Sequence, residues 1–191
     1  MKLNRLFQFT LFSLLILVTG VTALLAQSED QEANVMRVDV AEDGARFVFD
    51  PSITHEDGMP AYGTSFVTEG YIYPEGTLNG SNGILEDGSP EFPELVLGEW
   101  TCFGAFVGEG MYTESGNLVI TNQIFSFYGE DSTSTIISTG FELIDIDVPV
   151  ERAITGGTGM YNGFAGTQTQ ELLGFTEYMG VNLRIEIAHS S

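Results

Sequence analysis

The sequence predicts an all-β domain, a sandwich or a closed barrel. Three observations carry this. Apolar residues recur at every second position in run after run, as half-buried strands require. Glycine (23) and phenylalanine (14) are abundant, which suits short strands joined by tight turns. No segment beyond residue 27 combines an amphipathic helical period with caps. About eight strands fit the roughly 150 residues that follow. A barrel of that size has an interior filled by side chains or able to hold one small ligand.

Met1–Ala26 comes first (MKLNRLFQFTLFSLLILVTGVTALLA). Lys2 and Arg5 precede the apolar centre Leu11–Val18, and small residues near Ala23 and Ala26 offer cleavage points, a secretory signal pattern. The alternative is an uncleaved N-terminal anchor, since Leu6–Ala26 is long enough to span a bilayer. Both put the domain outside the cytoplasm. No cysteine directly follows the segment, so a lipoprotein anchor is excluded. Residues 27–34 are an acidic, flexible lead-in to a barrel domain over 35–191.

Val35–Val40 reads as a short strand, and Ala45–Asp50 alternates around Phe47 and Phe49. Pro51–Pro60 is a loop. Thr64–Tyr73 is β-rich, with Gly70 at a bulge. Pro74–Pro93 contains Asn79-Gly80, Asn82-Gly83 and Asp87-Gly88 and has no helical period, so it is a surface excursion carrying a small hairpin. Glu94–Val107 places Trp100, Cys102, Gly104 and Phe106 on one face. Asn117–Tyr128 and Ser134–Val148 are long strands, and Gly140 marks a bulge where the alternation of the second changes phase. Val150–Thr155 enters a glycine-rich junction, after which Gln168–Tyr178 and Val181–Ile187 close the chain.

Charge and cysteine content narrow the function. Acidic residues number 27 against 6 basic, a formal charge of −21. Beyond the N-terminal segment only Arg37, Arg46, Arg152 and Arg184 are cationic. Nucleic acid is excluded as a partner, because phosphate contacts need the opposite sign. An anionic membrane surface is excluded likewise, apart from whatever the N-terminal segment does. A solubilising acidic surface is the plain reading, with Ca²⁺ binding or life in high salt as functional alternatives. Cys102 is the single cysteine, so no intramolecular disulfide forms.

The glycine junction (Gly156, Gly157, Gly159, Gly163, Gly166) loosely matches a phosphate-binding loop. No helix N-terminus follows it and it holds no lysine, so it reads as a tight corner between two strands. His55, His189 and Cys102 lie far apart, and no zinc spacing exists. Asp145, Asp147 and Glu151 form no Ca²⁺ loop. We expect neither metal nor cofactor. There is no Gly-x-Ser-x-Gly elbow. Cys102, beside Trp100 at a strand centre, reads as a buried, inert thiol. Two carboxylates interrupt apolar strands: Glu69, between Val67 and Tyr71 on its face, and Glu142, between Gly140 and Ile144. Facing a lumen, either would be desolvated into a general acid or base; facing solvent, either is ordinary strand polarity.

The junction AITGGTGMYNGFAGTQTQ (Ala153–Gln170) resembles the hallmark of the allene oxide cyclase family and its dirigent relatives. IFSFYGEDSTSTIISTG (Ile124–Gly140) resembles the aromatic strand that precedes it, Cys102 falls where a cyclase-like strand carries a cysteine, and FVTEGYIYPEGTL (Phe66–Leu78) resembles an early strand. The likeness spans Phe66–Ile187. It implies a single eight-stranded antiparallel β-barrel of calycin type with a ligand-binding interior, often trimeric. The early glutamate–asparagine pair and the serine–proline step of the plant cyclases have no counterpart in MRVDVAEDGARFVFDPS. The resemblance therefore implies the barrel, and not the cyclase reaction. We expect a secreted, divergent, bacterial-type member. Its lumen binds a small hydrophobic molecule, with Tyr71, Trp100 and Cys102 as lining residues and Glu69 and Glu142 as the candidate acids. The alternatives are a cyclase-like isomerase or dirigent-like orienting protein, and a structural or interaction barrel with a filled core.

Overall fold

The computed structural model describes residues 34–129 and 133–189. The signal or anchor segment 1–26 and the lead-in up to residue 33 lie outside the described residues. The strands are β1 (Asn34–Glu42), β2 (Val48–Phe49), β3 (Ser65–Pro74), β4 (Gly98–Phe106), β5 (Asn117–Phe127), β6 (Ser134–Leu143), β7 (Val150–Gly157), β8 (Gly166–Phe175) and β9 (Val181–His189).

Every pairing between strands is antiparallel, from β3 through β9 in chain order. β1 closes the ring by pairing with β9 on one side and the second half of β3 on the other. The two-residue β2 continues the seam on the first half of β3. The result is the closed eight-stranded antiparallel barrel that the resemblance implied. Closure leaves no long free edge, which suits a chain with no disulfide.

Alternation sorts the side chains. Val38 and Val40 of β1, Ile72 of β3, Trp100 and Cys102 of β4, Phe125 of β5, Ile136 of β6 and Ile185 of β9 point inward and pack together. The two ends differ. At one end the glycine junction forms the corner between β7 and β8, built on the 3-10 turn Gly159–Tyr161. Gly159 takes a positive φ of 61°, and a Cβ there would meet Ser134 Oγ at 2.3 Å, so only glycine fits. The corner delivers Tyr161 and Phe164 onto Phe127 and His189, an aromatic stack that caps this end. The opposite end stays open.

Several boundaries differ from the sequence reading. β1 runs on to Glu42. Gly44–Arg46 and Pro93–Leu95 are 3-10 turns in place of strand starts. β6 stops at Leu143, so Asp145 and Asp147 lie in the following turn. Gly140 and Gly70 are in regular register rather than at bulges. The register shifts fall at Asn117/Val119, Ile137/Ser138 and Leu172/Gly174. Both glycines serve close approach instead. A Cβ on Gly140 would lie 2.9 Å from Arg152 Cγ, and one on Gly70 would lie 2.3 Å from the Ala41 carbonyl oxygen.

The excursion after β3 carries the isolated bridge Ile84–Pro90 and is pinned to the barrel's outer wall. Leu78 and Ile84 bury Ala41 and Tyr73 in a second small core. The Tyr73 hydroxyl donates to the Gly83 carbonyl at 2.7 Å, and Leu78 N donates to Asp39 Oδ2 at 3.0 Å. Asp39, fully buried, also accepts from Arg184 Nε at 3.1 Å.

Candidate functional site

The open end of the barrel leads into a cavity of about 390 Å³. That is within the range of sites that enclose small organic molecules. Phe47 and Phe49 from the β1–β3 connection, Phe66, Phe106 and Met111 form an aromatic and thioether wall. Met179 stands at the mouth, strongly exposed, on a turn where it takes a positive φ of 68°. Deeper in, Trp100, Cys102, Thr68, Glu42 and Glu142 line the cavity.

Trp100, Cys102 and Glu142 thus share the lumen. Glu69 and Tyr71 do not, which corrects the expectation that they face it. On β3 the inward positions are Phe66, Thr68, Gly70 and Ile72, so Glu69 and Tyr71 fall on the outer face. There Glu69 accepts from Arg46 Nη1 at 2.8 Å, and the Arg46 guanidinium carbon lies 5.9 Å over the Tyr71 ring. The Tyr71 hydroxyl donates to the Gly88 carbonyl of the excursion at 3.3 Å.

Glu142 is the hub of a buried polar network. Its Oε1 accepts from Thr121 Oγ1 at 2.5 Å, from Gln123 Nε2 at 3.1 Å and from Cys102 Sγ at 3.4 Å. Its Oε2 accepts from Gln170 Nε2 at 3.1 Å. Arg152 Nη1 lies 3.6 Å from Oε1, inside hydrogen-bond shells to the Phe141 and Thr121 carbonyls. Gln168 Nε2 donates to Gln123 Oε1 at 2.7 Å, and Gln123 Nε2 donates to Gln170 Oε1 at 2.8 Å. Gly140 makes this possible: without a side chain, it lets the Arg152 stem cross β6. Burial pushes the Arg152 guanidinium down and Glu142 pulls it back up, and arginine keeps its proton throughout. Burial, reinforced by the Glu142 charge, lifts the Cys102 thiol well above its ordinary range.

Glu42 is the acid that the sequence reading missed. It is 5% exposed, on the inner face of β1, and Oε2 accepts from Val181 N at 2.8 Å. Desolvation dominates its surroundings and pushes its pKa up to about 7; the Val181 amide and Thr68 oppose this, while Glu142 and Asp43 add to it. Thr68 Oγ1 is close enough to favour the anion, but no hydrogen bond of ordinary geometry reaches it. Trp100 Nε1 has no partner either. Among the described residues Glu42 forms no ion pair, and the buried Arg152 lies against Glu142. The lumen therefore offers one carboxyl that titrates near neutrality and one held in a satisfied network. That is an arrangement able to move a proton on a bound molecule.

No group of three or more His, Cys, Asp or Glu side chains among the described residues converges to hold a metal ion. Asp145 instead accepts from Gly116 N at 2.5 Å, and His55 packs on Tyr112 at a loop.

The fold is that of a dirigent-like barrel. Among solved structures, the pterocarpan synthase dirigent protein GePTS1 matches with a TM-score of 0.55 and 15% identity, over 84% of this chain and 88% of that one. The pterocarpan synthase dirigent protein PsPTS1 matches with a TM-score of 0.55 and 16% identity, over 85% and 99%. A pyocyanin demethylase matches with a TM-score of 0.48 and 17% identity, over 81% and 98%. No family model and no curated protein matches the sequence. At these identities the likeness concerns the backbone fold.

Proposed function

We propose that this protein is an extracytoplasmic barrel that takes a small, largely apolar molecule into its lumen. The observation that carries the reading is the cavity of about 390 Å³, aromatic at its mouth and with buried carboxyls at its floor. A core packed solid for structure alone would fill such a space, because voids forfeit contact energy. The N-terminal segment supports export, and the dirigent-like fold is compatible with a homotrimer.

Trp100 is the one tryptophan and lines the cavity, so its emission reports on occupancy. N-phenyl-1-naphthylamine, a neutral apolar dye, is titrated into the protein. The expected result is a saturable rise in dye emission with matching energy transfer from Trp100. A linear, non-saturating response would remove the ligand-binding reading.

A second reading, an isomerase or a protein that orients a reactive substrate, is favoured by one observation: Glu42 and Glu142 line the same cavity. Proton transfer needs an acid whose pKa lies near the working pH, and Glu42 meets that condition. Its test is loss of turnover in Glu42→Gln with dye uptake retained.

A further inference from the structure

Two residues that line the cavity carry buried polar atoms without partners. Thr68 and Trp100 are each 1% exposed, and neither the Thr68 hydroxyl nor the Trp100 indole nitrogen has a hydrogen-bond partner. Both residues belong to the cavity, whereas the other unpartnered atoms, on Gln168 and Asn182, lie away from it. The strand register brings the two together. Gly70 pairs with Trp100 across β3 and β4, and Thr68 is the neighbouring inward position on β3. Gly70 also pairs with Glu42 across β1 and β3. Glu42, Thr68 and Trp100 are therefore neighbours on the inner wall around Gly70, where the β1 backbone approaches β3 closely.

We propose that this corner is a subsite for a single acceptor oxygen (ketone, aldehyde, ether or epoxide) on an otherwise apolar ligand, with Trp100 Nε1–H and Thr68 Oγ1–H donating to it. The inference rests on the ligand-binding reading and narrows it to a substrate class. Apolar walls distinguish ligands weakly, whereas donors that a ligand would leave buried and unpaired reject the analogue that lacks the acceptor. No cation lines the cavity among the described residues, so a neutral molecule is admitted and a carboxylate finds no counter-ion there. Below about pH 7 Glu42 is protonated, and it then adds a third donor to the same corner.

The test uses an isosteric pair, 2-acetylnaphthalene and 2-isopropenylnaphthalene, which differ by C=O against C=CH₂. Each competes at pH 6 with bound N-phenyl-1-naphthylamine, followed by direct dye emission so that tryptophan variants remain readable. In the wild type the ketone should displace the dye at about tenfold lower concentration than the alkene. In Thr68→Val and in Trp100→Phe that preference should shrink to about threefold or less. Two variants are used so that a folding defect in one leaves the other informative. Equal displacement by ketone and alkene in the wild type overturns the subsite, as does a preference that survives in both folded variants. Absence of dye uptake at the outset is a separate result, which removes the ligand-binding reading and the subsite with it.

Discussion

Arg152 stands 3.6 Å from Glu142 inside the barrel, with its guanidinium group wholly buried. Glu142 also gathers Thr121, Gln123, Gln170 and Cys102, so its charge is satisfied from several strands at once. Removing one member of such a pair leaves an uncompensated buried charge. Arg152→Met should therefore destabilise the protein by about 3–5 kcal/mol. Adding Glu142→Leu to Arg152→Met should recover much of that loss, because the stranded carboxylate is gone. Urea unfolding of the two variants reads both effects. A double variant no more stable than the single one would show that the carboxylate is not the source of the cost.

Much of this interior was legible from alternation and some was not. Trp100, Cys102 and Glu142 point inward because unbroken period-2 strands carry them there. Glu69 and Tyr71 misled because β3 is apolar on both faces. The excursion covers its outer side at Tyr73, so hydrophobicity alone could not say which side was the lumen. Glu42 escapes that pattern because the apolar alternation Met36, Val38, Val40 ends one step before it, whereas the strand runs on to Glu42. A visible signal existed for Gln168 and Gln170, which share the face of Leu172 after the glycine junction. Arg152 had none: its place follows from a contact with Gly140, which no local pattern encodes.

Cys102 should be inert in the native protein. Its side chain is 1% exposed and burial raises its thiol well above the ordinary range, so little reactive thiolate forms. Iodoacetamide at pH 8 should leave it unmodified in native buffer and label it fully in 6 M guanidinium, as intact mass would show. Rapid native labelling would mean that the lumen opens to solvent more widely than the fold indicates.

Gly70→Ala tests the seam between β1 and β3. The added methyl group would lie 2.3 Å from the Ala41 carbonyl oxygen and 2.9 Å from Glu42 Cα, both backbone atoms that cannot rotate away. The seam must part, at a cost of about 1–3 kcal/mol. The urea midpoint should fall with an unchanged slope. Glu42 should be displaced in the same step, so uptake of N-phenyl-1-naphthylamine should weaken. A variant as stable as wild type would show that β1 is not held as closely as its pairing with Gly70 requires.

Glu42 gives the barrel a stability that falls as pH rises. Its pKa is about 7 in the folded chain against 4.5 for the unperturbed group, so between those values the folded state holds a proton that the unfolded state has released. Stability is then highest below about pH 4.5 for this group and declines through pH 7, by on the order of 3 kcal/mol in all. Thr68, the Val181 amide, Glu142 and Asp43 are the groups that face it and set this balance, with desolvation the largest contribution. Carboxylates whose pKa is lowered, Asp50, Asp57 and Asp87, act oppositely, and only below their ordinary value of 3.8. The two windows therefore separate. Glu42→Gln keeps an acceptor for the Val181 amide and removes the titration. It should be more stable than wild type at pH 8, by on the order of 3 kcal/mol, and close to wild type at pH 4.5. Urea unfolding at half-unit steps from pH 4.5 to pH 8 gives both curves. Parallel curves for the two proteins would place the pH dependence elsewhere and return Glu42 to the ordinary carboxylate range.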